Sequence, residues 1–273
     1  MRFFKENPAT SFGVAVISIF IVIAILAPLI APYPPEEQEL SQRLAPPSLF
    51  HPMGRDDFGR DILSRAIYGV RVSILVGIVV VGISAVIGVI LGLIAGYFGG
   101  FLDELLMRIV DILLAFPGIL LAIAIVAVLG PGLKNLLLAL SLIGWVSYAR
   151  LTRGQVLKIK ELEYIEAARA IGAGNLRILF RHLLPNVIPP VIIQATLGIA
   201  GVIIAEASLS FLGLGVPPPS PSLGGMLSEG LSHLIDAPHL TIFPGLMISL
   251  LVLAFNFLGD GLRDLLDPRL KNY

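Results

Sequence analysis

The stretch RVSILVGIVVVGISAVIGVILGLIAG, from Arg71 to Gly96, has one charge, at its first residue, and then only apolar side chains, glycines and two serines. A bilayer's hydrocarbon core is crossed by a helix of about 20 such residues. Lipid offers the backbone no hydrogen-bond partners, so the stretch must satisfy itself as a helix. Five more segments read the same way, at about 12–31, 105–129, 133–150, 187–212 and 241–259. The expected fold is an all-α integral membrane protein with six transmembrane helices. Composition agrees: of 273 residues, 56% are hydrophobic and only 14% charged, against about 45–50% and about 25% in ordinary soluble domains. A formal net charge of zero argues against nucleic acid as a partner. With no cysteine, disulfides, thiol catalysis, cysteine-ligated metals and a lipid-modified cysteine anchor are excluded.

Arg2 and Lys5 precede the first apolar run as they would in a signal peptide. That run exceeds the usual signal length, and Ala27-Pro28 to Ala31-Pro32 is a poor cleavage signal. An uncleaved first span is expected.

Six crossings place both termini on one side, and basic residues say which. The loop from Arg150 to Arg181 carries Arg150, Arg153, Lys158, Lys160, Arg169, Arg177 and Arg181. Arg2, Lys5, Arg263, Arg269 and Lys271 flank the ends, and about 213–240 has no Lys or Arg. Both termini and the loop are expected to be cytoplasmic, in a multi-pass protein of the cell (inner) membrane. The chain then divides into a first span at 12–31, an external loop and lead-in helix at 32–70, and a five-span core at 71–259. A cytoplasmic loop at 151–186 interrupts the core, and a cytoplasmic tail completes the chain at 260–273. One region resists the rule: the external segment holds Arg43, Arg55, Arg60 and Arg65, although six acids accompany them. Pro32, Pro34, Pro35, Pro46, Pro47 and Pro52 predict an extended loop there. Asp57 is a candidate helix cap, with Ile62, Arg65, Ala66 and Gly69 leading into span two. Four prolines between Gly213 and Pro221 predict a stiff outer turn. Gly88, Gly92 and Gly96 share one face at the spacing that lets membrane helices approach closely. Packing within the subunit is the first reading, and a moving interface between two subunits the second.

The cytoplasmic loop holds the most specific pattern. Residues 161–171 are helix formers, Gly172 to Asn175 signals a turn, and 176–184 resume with Leu176, Leu179 and Leu183 on one face. Pro185 falls where span five begins. Two short amphipathic helices should therefore meet at a glycine corner. Ala167, Ala168 and Ala170 beside Gly172 would form a low-profile face that a neighbouring protein's backbone could approach. The string Glu166-Ala167-Ala168, Gly172, His182 and Leu184-Pro185 resembles the EAA loop of ABC importer permeases, with His182 where an aliphatic residue often stands. The resemblance implies that this loop couples to a cytoplasmic ATPase, through Glu166, Ala167, Ala168, Gly172, Gly174, Leu184 and Pro185.

Further strings narrow the resemblance. They run from His51-Pro-Met-Gly54 to Arg65, from Tyr68-Gly69 to Ser73, from Arg108 to Phe116-Pro117, from Glu206 to Gly215 and from Asn256 to Arg269. In that order they look like the second, C-type permease of dipeptide, oligopeptide and nickel importers. The implied partners are a second homologous permease subunit, ATP-binding cassette ATPase subunits, an extracytoplasmic solute-binding protein, membrane lipid and a peptide substrate. No cofactor is implied.

Inside the spans, Glu206 is the most notable ionisable residue. Intramembrane acids are costly and face the bundle interior or water, so it is a candidate pathway or gate residue alongside a structural role. Asn256 is the second such candidate, although interhelical bonding suits it better; Gln194 and Thr196 are open between the same readings. Arg108 and Asp111, three apart, should pair on one helix face. Asp260 to Arg263 and Asp264 to Pro268 should close a short end helix. His51, His182, His233 and His239 lack metal-ligand spacing. The phosphate-cradling G-x-x-x-x-G-K-[ST] loop does not occur, nor does a nucleophile elbow or H-E-x-x-H. The chain is not expected to be an enzyme, and ATP hydrolysis is assigned to partners. The function expected is a binding-protein-dependent permease for dipeptides or oligopeptides, with nickel or another small solute as the same-class alternative. A six-helix channel without an ATPase, or an intramembrane enzyme, are the readings from other classes.

Overall fold

The computed structural model describes residues 7–266. Expectations for Arg2, Lys5, Asp267, Pro268, Arg269 and Lys271 lie outside the described residues. Within them all regular structure is helical, apart from one isolated bridge between Arg55 and Asp61. The helices are α1 (Pro8–Ile30), α2 (Ile62–Phe98), α3 (Gly100–Leu114), α4 (Gly118–Leu129), α5 (Leu133–Ile159), α6 (Glu163–Ala170), α7 (Leu184–Phe211), α8 (Leu223–Gly230) and α9 (His239–Leu266). Five of them, α1, α2, α5, α7 and α9, are long and apolar enough to cross a bilayer.

The third expected span is corrected. Residues 105–129 do not form one helix; α3 and α4 meet at an angle of 87°. The break falls at Ala115-Phe116-Pro117, where Pro117 has no N–H to give the helix and pushes Phe116 out of helical geometry. Other helices outrun their apolar cores. Helix α2 starts at Ile62 because Asp61 caps it, its carboxylate accepting the Ser64 N–H at 2.8 Å. The expected cap, Asp57, instead accepts a hydrogen bond from Arg43 at 2.6 Å. Helix α5 runs on to Ile159, and α9 continues to Leu266 without a separate end helix at Asp260–Arg263. Between the prolines and α9 lies α8, a helix where the sequence predicts only an outer turn.

Helix α2 is the axis of the bundle. Its glycine face lies against α5 in parallel register: a methyl on Gly88 would lie 2.5 Å from the Trp145 carbonyl oxygen. On Gly92 it would lie 2.5 Å from the Ala149 oxygen, and on Gly96 2.8 Å from Val156. The glycines therefore serve packing within the subunit. Helix α7 crosses α2 in the opposite sense, with Gly77 beside Ile199 and Ser73 bonded to Glu206. Helices α1 and α9 are also antiparallel, Thr10 meeting Gly261 and Gly13 meeting Ala254.

The arginines that resisted the charge rule are explained by a compact polar cap at the start of α2. Arg60 pairs with Asp56 at 2.6 Å and Glu229 of α8 at 2.8 Å. Arg65 reaches the same Glu229 at 3.1 Å. Arg55 pairs with Glu39 at 2.8 Å and donates to His51 Nε2 at 2.9 Å. That places the His51 proton on Nδ1, from which it bonds Asp61 at 2.9 Å. Arg55, Arg60 and Arg65 are buried and neutralised, so they are not free positive charges for orienting the chain. The expected extended loop is thus a folded cap.

Candidate functional site

The loop at 151–186 is built from α5's end, α6 and α7's beginning. Glu163 and Glu166 lie in the first turn of α6 and Arg169 in its last, each favourable to the helix dipole. The helix ends where Gly172 adopts φ +83°, a conformation that costs a side-chain-bearing residue but not glycine. The predicted corner is therefore present.

The expected second, separate helix after the corner is corrected. One turn, Asn175–Arg177, passes through a π segment, Ile178–Leu183, directly into α7. The π segment immediately precedes Pro185. A proline there removes the N–H that would bond Arg181 and crowds that carbonyl; the wider turn, with Leu184 N–H reaching back to Leu179 O, relieves it. Asn186 Nδ2 donates to the His182 carbonyl at 2.6 Å. Motion of the corner is thus continuous with span α7, with no hinge loop between them.

The loop has an anchoring side and a free side. Ile165, Ile178, Leu179 and Leu183 are buried in one cluster with Leu93 of α2 and Val156 of α5, and Ala168 is buried as well. Tyr97 of α2 donates to Asn175 Oδ1 at 2.9 Å, and the Arg169 guanidinium lies 5.8 Å from the Tyr97 ring centre. On the free side Ile171 is 86% exposed, Leu176 71% and Phe180 63%, around exposed Glu166, Ala167, Ala170, Gly172 and Gly174. Two expectations are corrected. Ala168 faces its own subunit, and Leu176 lies outside, because the register through the π segment turns Ile178 inward instead. Leu184 is half-buried and Pro185 exposed; they shape the path into α7. The Ile165 and Ile178 anchors were not singled out in the sequence, where Ile178 is one of several large apolar residues from Leu176 to Phe180.

Glu206 lies elsewhere, fully enclosed between α7 and α2. Ser73 and Ser210 each donate to its carboxylate at 2.8 Å. Ser210, one helical turn on, was legible as a partner; Ser73, on another span, was not. Asn256 is half-buried on α9. Asp111 pairs with Arg150 of α5 at 2.6 Å and not with Arg108, and Arg153 pairs with Asp103 at 2.5 Å. These bonds strap the bent pair to α5. No cluster of three or more His, Asp or Glu that could hold a metal occurs among the described residues.

Comparison with known proteins agrees with this architecture. Residues 88–272 match the family described as binding-protein-dependent transport system inner membrane component. Residues 1–47 match the N-terminal TM domain of oligopeptide transport permease C. A dipeptide transport system permease protein of Alkalihalophilus pseudofirmus is 49% identical, covering 98% of this chain and 88% of its own. One from Haemophilus influenzae is 46% identical, covering 98% and 93%. A glutathione transport system permease protein of Escherichia coli is 48% identical, covering 99% and 89%. Among solved structures, the inward-facing MetNI methionine ABC transporter matches with a TM-score of 0.61 at 22% identity, over 76% of this chain and 98% of that one. That likeness concerns the fold. The chain belongs to the binding-protein-dependent transport system inner membrane components, as a multi-pass inner-membrane permease of the peptide family of ABC importers.

Proposed function

We propose that this chain forms half of the pathway of an importer of dipeptides and other short peptides, and that a cytoplasmic ATPase docks at the Gly172 corner. The observation that carries the reading is the two-sided loop. Its anchoring side is packed on three spans, and its free side presents Ile171, Leu176 and Phe180 near the open corner at Gly172. Contiguous exposed apolar side chains on a charged loop mark a protein-binding surface. A second homologous permease completes the pathway, ATP-binding cassette subunits hydrolyse ATP, and a solute-binding protein delivers cargo from outside. The relatives' names, dipeptide and glutathione transport, favour peptide cargo over nickel.

Mechanistically, ATPase closure pushes α6 at Glu166, Ala167 and Gly172. The unbroken run from Asn175 carries that displacement into α7, and the Tyr97–Asn175 bond carries it to α2. The loop transmits work only if its contacts differ between the two states.

Topology is part of the same reading. Because α2 and α5 pack in parallel, α2 ends at the face opposite to where α5 begins. Residues 99–132 therefore have to recross. The bent α3–α4 pair is then the sixth crossing, with both termini in the cytoplasm. Neither leg suffices alone: at about 1.5 Å per residue, α3 is about 22 Å long and α4 about 18 Å, against a core of about 30 Å.

The test is a complex purified with its ATPase. Gly172→Val and Glu166→Lys are expected to cut peptide-stimulated ATP hydrolysis and uptake at least 10-fold while the permease pair still assembles. Unchanged coupling in both variants refutes the docking assignment.

A further inference from the structure

We infer that a small polar pocket among α2, α5 and α7 lines the cargo pathway and accepts an uncharged hydrogen-bonding part of the cargo, such as a peptide group. Ser84, Gly144, Ser147, Tyr148, Gln194 and Gly198 line it, and it encloses about 170 Å³.

Depth makes these side chains unusual. Ser84 is near the middle of the Arg71–Gly96 run, roughly 18 Å from either end at about 1.5 Å per residue. Serines and threonines in spans commonly turn back on the preceding helical turn. Ser18, Thr196, Ser208 and Ser249 do so here, each donating to the carbonyl four residues earlier at 2.7–3.0 Å. Ser84 does not. Its side chain is buried, and its hydroxyl has no partner among the described residues. A buried hydroxyl without a partner is destabilising, and a lipid tail cannot supply one.

Two glycines keep the hydroxyls uncovered. A methyl on Gly144 would collide with Ser84 Oγ, and one on Gly198 would lie 2.6 Å from the Tyr148 hydroxyl. Ser147 is exposed and Gln194 half-buried, so the pocket opens on the surface of the subunit at membrane depth. A hydroxyl, an amide and glycine backbone turned to lipid would be unpaired; turned to a watery cleft between two permeases they are satisfied. The lining holds no acid, lysine, arginine or histidine, so it suits a neutral polar group. A water occupies about 30 Å³, so the space takes a handful of waters or a peptide group and a small side chain. It does not take a whole peptide with both charged ends.

The assignment rests on the transport reading above and is tested so that the two can fail separately. The chain has no cysteine, so Ser147→Cys and Gln194→Cys each give a single site in this subunit, whose labelling is read on its own band from the full transporter. A water-soluble, charged thiol reagent is expected to modify both at least 10-fold faster than Ile19→Cys, an exposed position in the first span. Saturating dipeptide with its binding protein and ATP should slow that modification several-fold. Reaction no faster than at Ile19→Cys, in a complex that still imports dipeptide, overturns the pocket assignment and leaves transport standing. Constant cross-linking of either cysteine to the second permease in every nucleotide state overturns it too, in favour of a static interface. Reactive cysteines in a complex that imports no peptide overturn the transport reading and the cargo assignment with it.

Discussion

Glu206 is held by two hydroxyls, one from its own helix and one from α2, so it ties the span that receives the coupling loop to the central span. The sequence marked it as a pathway or gate candidate alongside a structural role, and its enclosure and two hydrogen bonds fit the structural tie. A tie that breaks when α7 moves is a gate contact. Glu206→Gln keeps the size and one oxygen to accept the serines, so assembly should survive. If the bond exchanges during transport, uptake and ATP coupling should fall several-fold; uptake at the parent rate would leave Glu206 a purely structural tie. Glu206→Ala differs, because it strands the Ser73 and Ser210 hydroxyls and should lower stability by about 1–3 kcal/mol, read from thermal unfolding in detergent. Asn256, half-buried on α9, has no comparable clasp among the described residues. Asn256→Leu in the same uptake assay decides its proposed pathway role, with loss of uptake expected if it meets cargo. At this scale the charged residues of the outer cap were the hardest to read. Arg60 and Arg65 share Glu229, a residue more than 160 positions away in the chain, and no local pattern in the sequence announces that pairing.

At the scale of elements, the apolar runs were legible and their ends were not. Hydropathy finds the part of a helix that lies in lipid, while caps and charged extensions decide where it starts and stops. Asp61 and Asp57 are equally plausible caps on paper; only the Ser64 N–H and Arg43 tell them apart. Pro117 was visible, but an apolar window counts a proline as one tolerated residue, so the 87° bend passed as a continuous span. The glycine corner was legible because Gly172 needs its positive φ, whereas the π segment was not, since its cause is a carbonyl clash one turn before Pro185. The glycine face of α2 gives the sharpest test of element packing. Gly92→Ala puts a methyl 2.5 Å from the Ala149 oxygen and 2.6 Å from Thr152 Cβ. Backbone has to move to admit it, at a cost of about 1–3 kcal/mol. Gly82→Ala on the same helix meets nothing within 4 Å and should be neutral or gain up to about 1 kcal/mol from helix propensity. Thermal unfolding of the two purified variants checks the contrast. Equal stability would mean that α2 and α5 are not in this register.

For the whole molecule, the two ends of the bundle have opposite electrostatic characters, and the proposed orientation rests on this. One end buries its arginines against Asp56, Glu39 and Glu229, so no uncompensated positive charge hinders export. The other exposes Arg169, Arg177 and Arg181 around the coupling corner. The charge rule counts free cations, and it strains at 32–66 because the cations there are paired with acids. The same division gives a topology test that uses the absence of cysteine. Ile235, 94% exposed beside the cap, and Ile171 at the corner should lie on opposite faces of the membrane. A membrane-impermeant maleimide added to intact spheroplasts is expected to label Ile235→Cys fully and Ile171→Cys only after the membrane is opened. Labelling of both without permeabilisation would place the corner outside and remove it from any cytoplasmic ATPase. The reverse pattern would invert the whole bundle. The parallel packing of α2 and α5 adds its own constraint to the proposed topology: a re-entrant α3–α4 pair would force those two helices to start on opposite sides, so the two legs have to act together as one bent crossing.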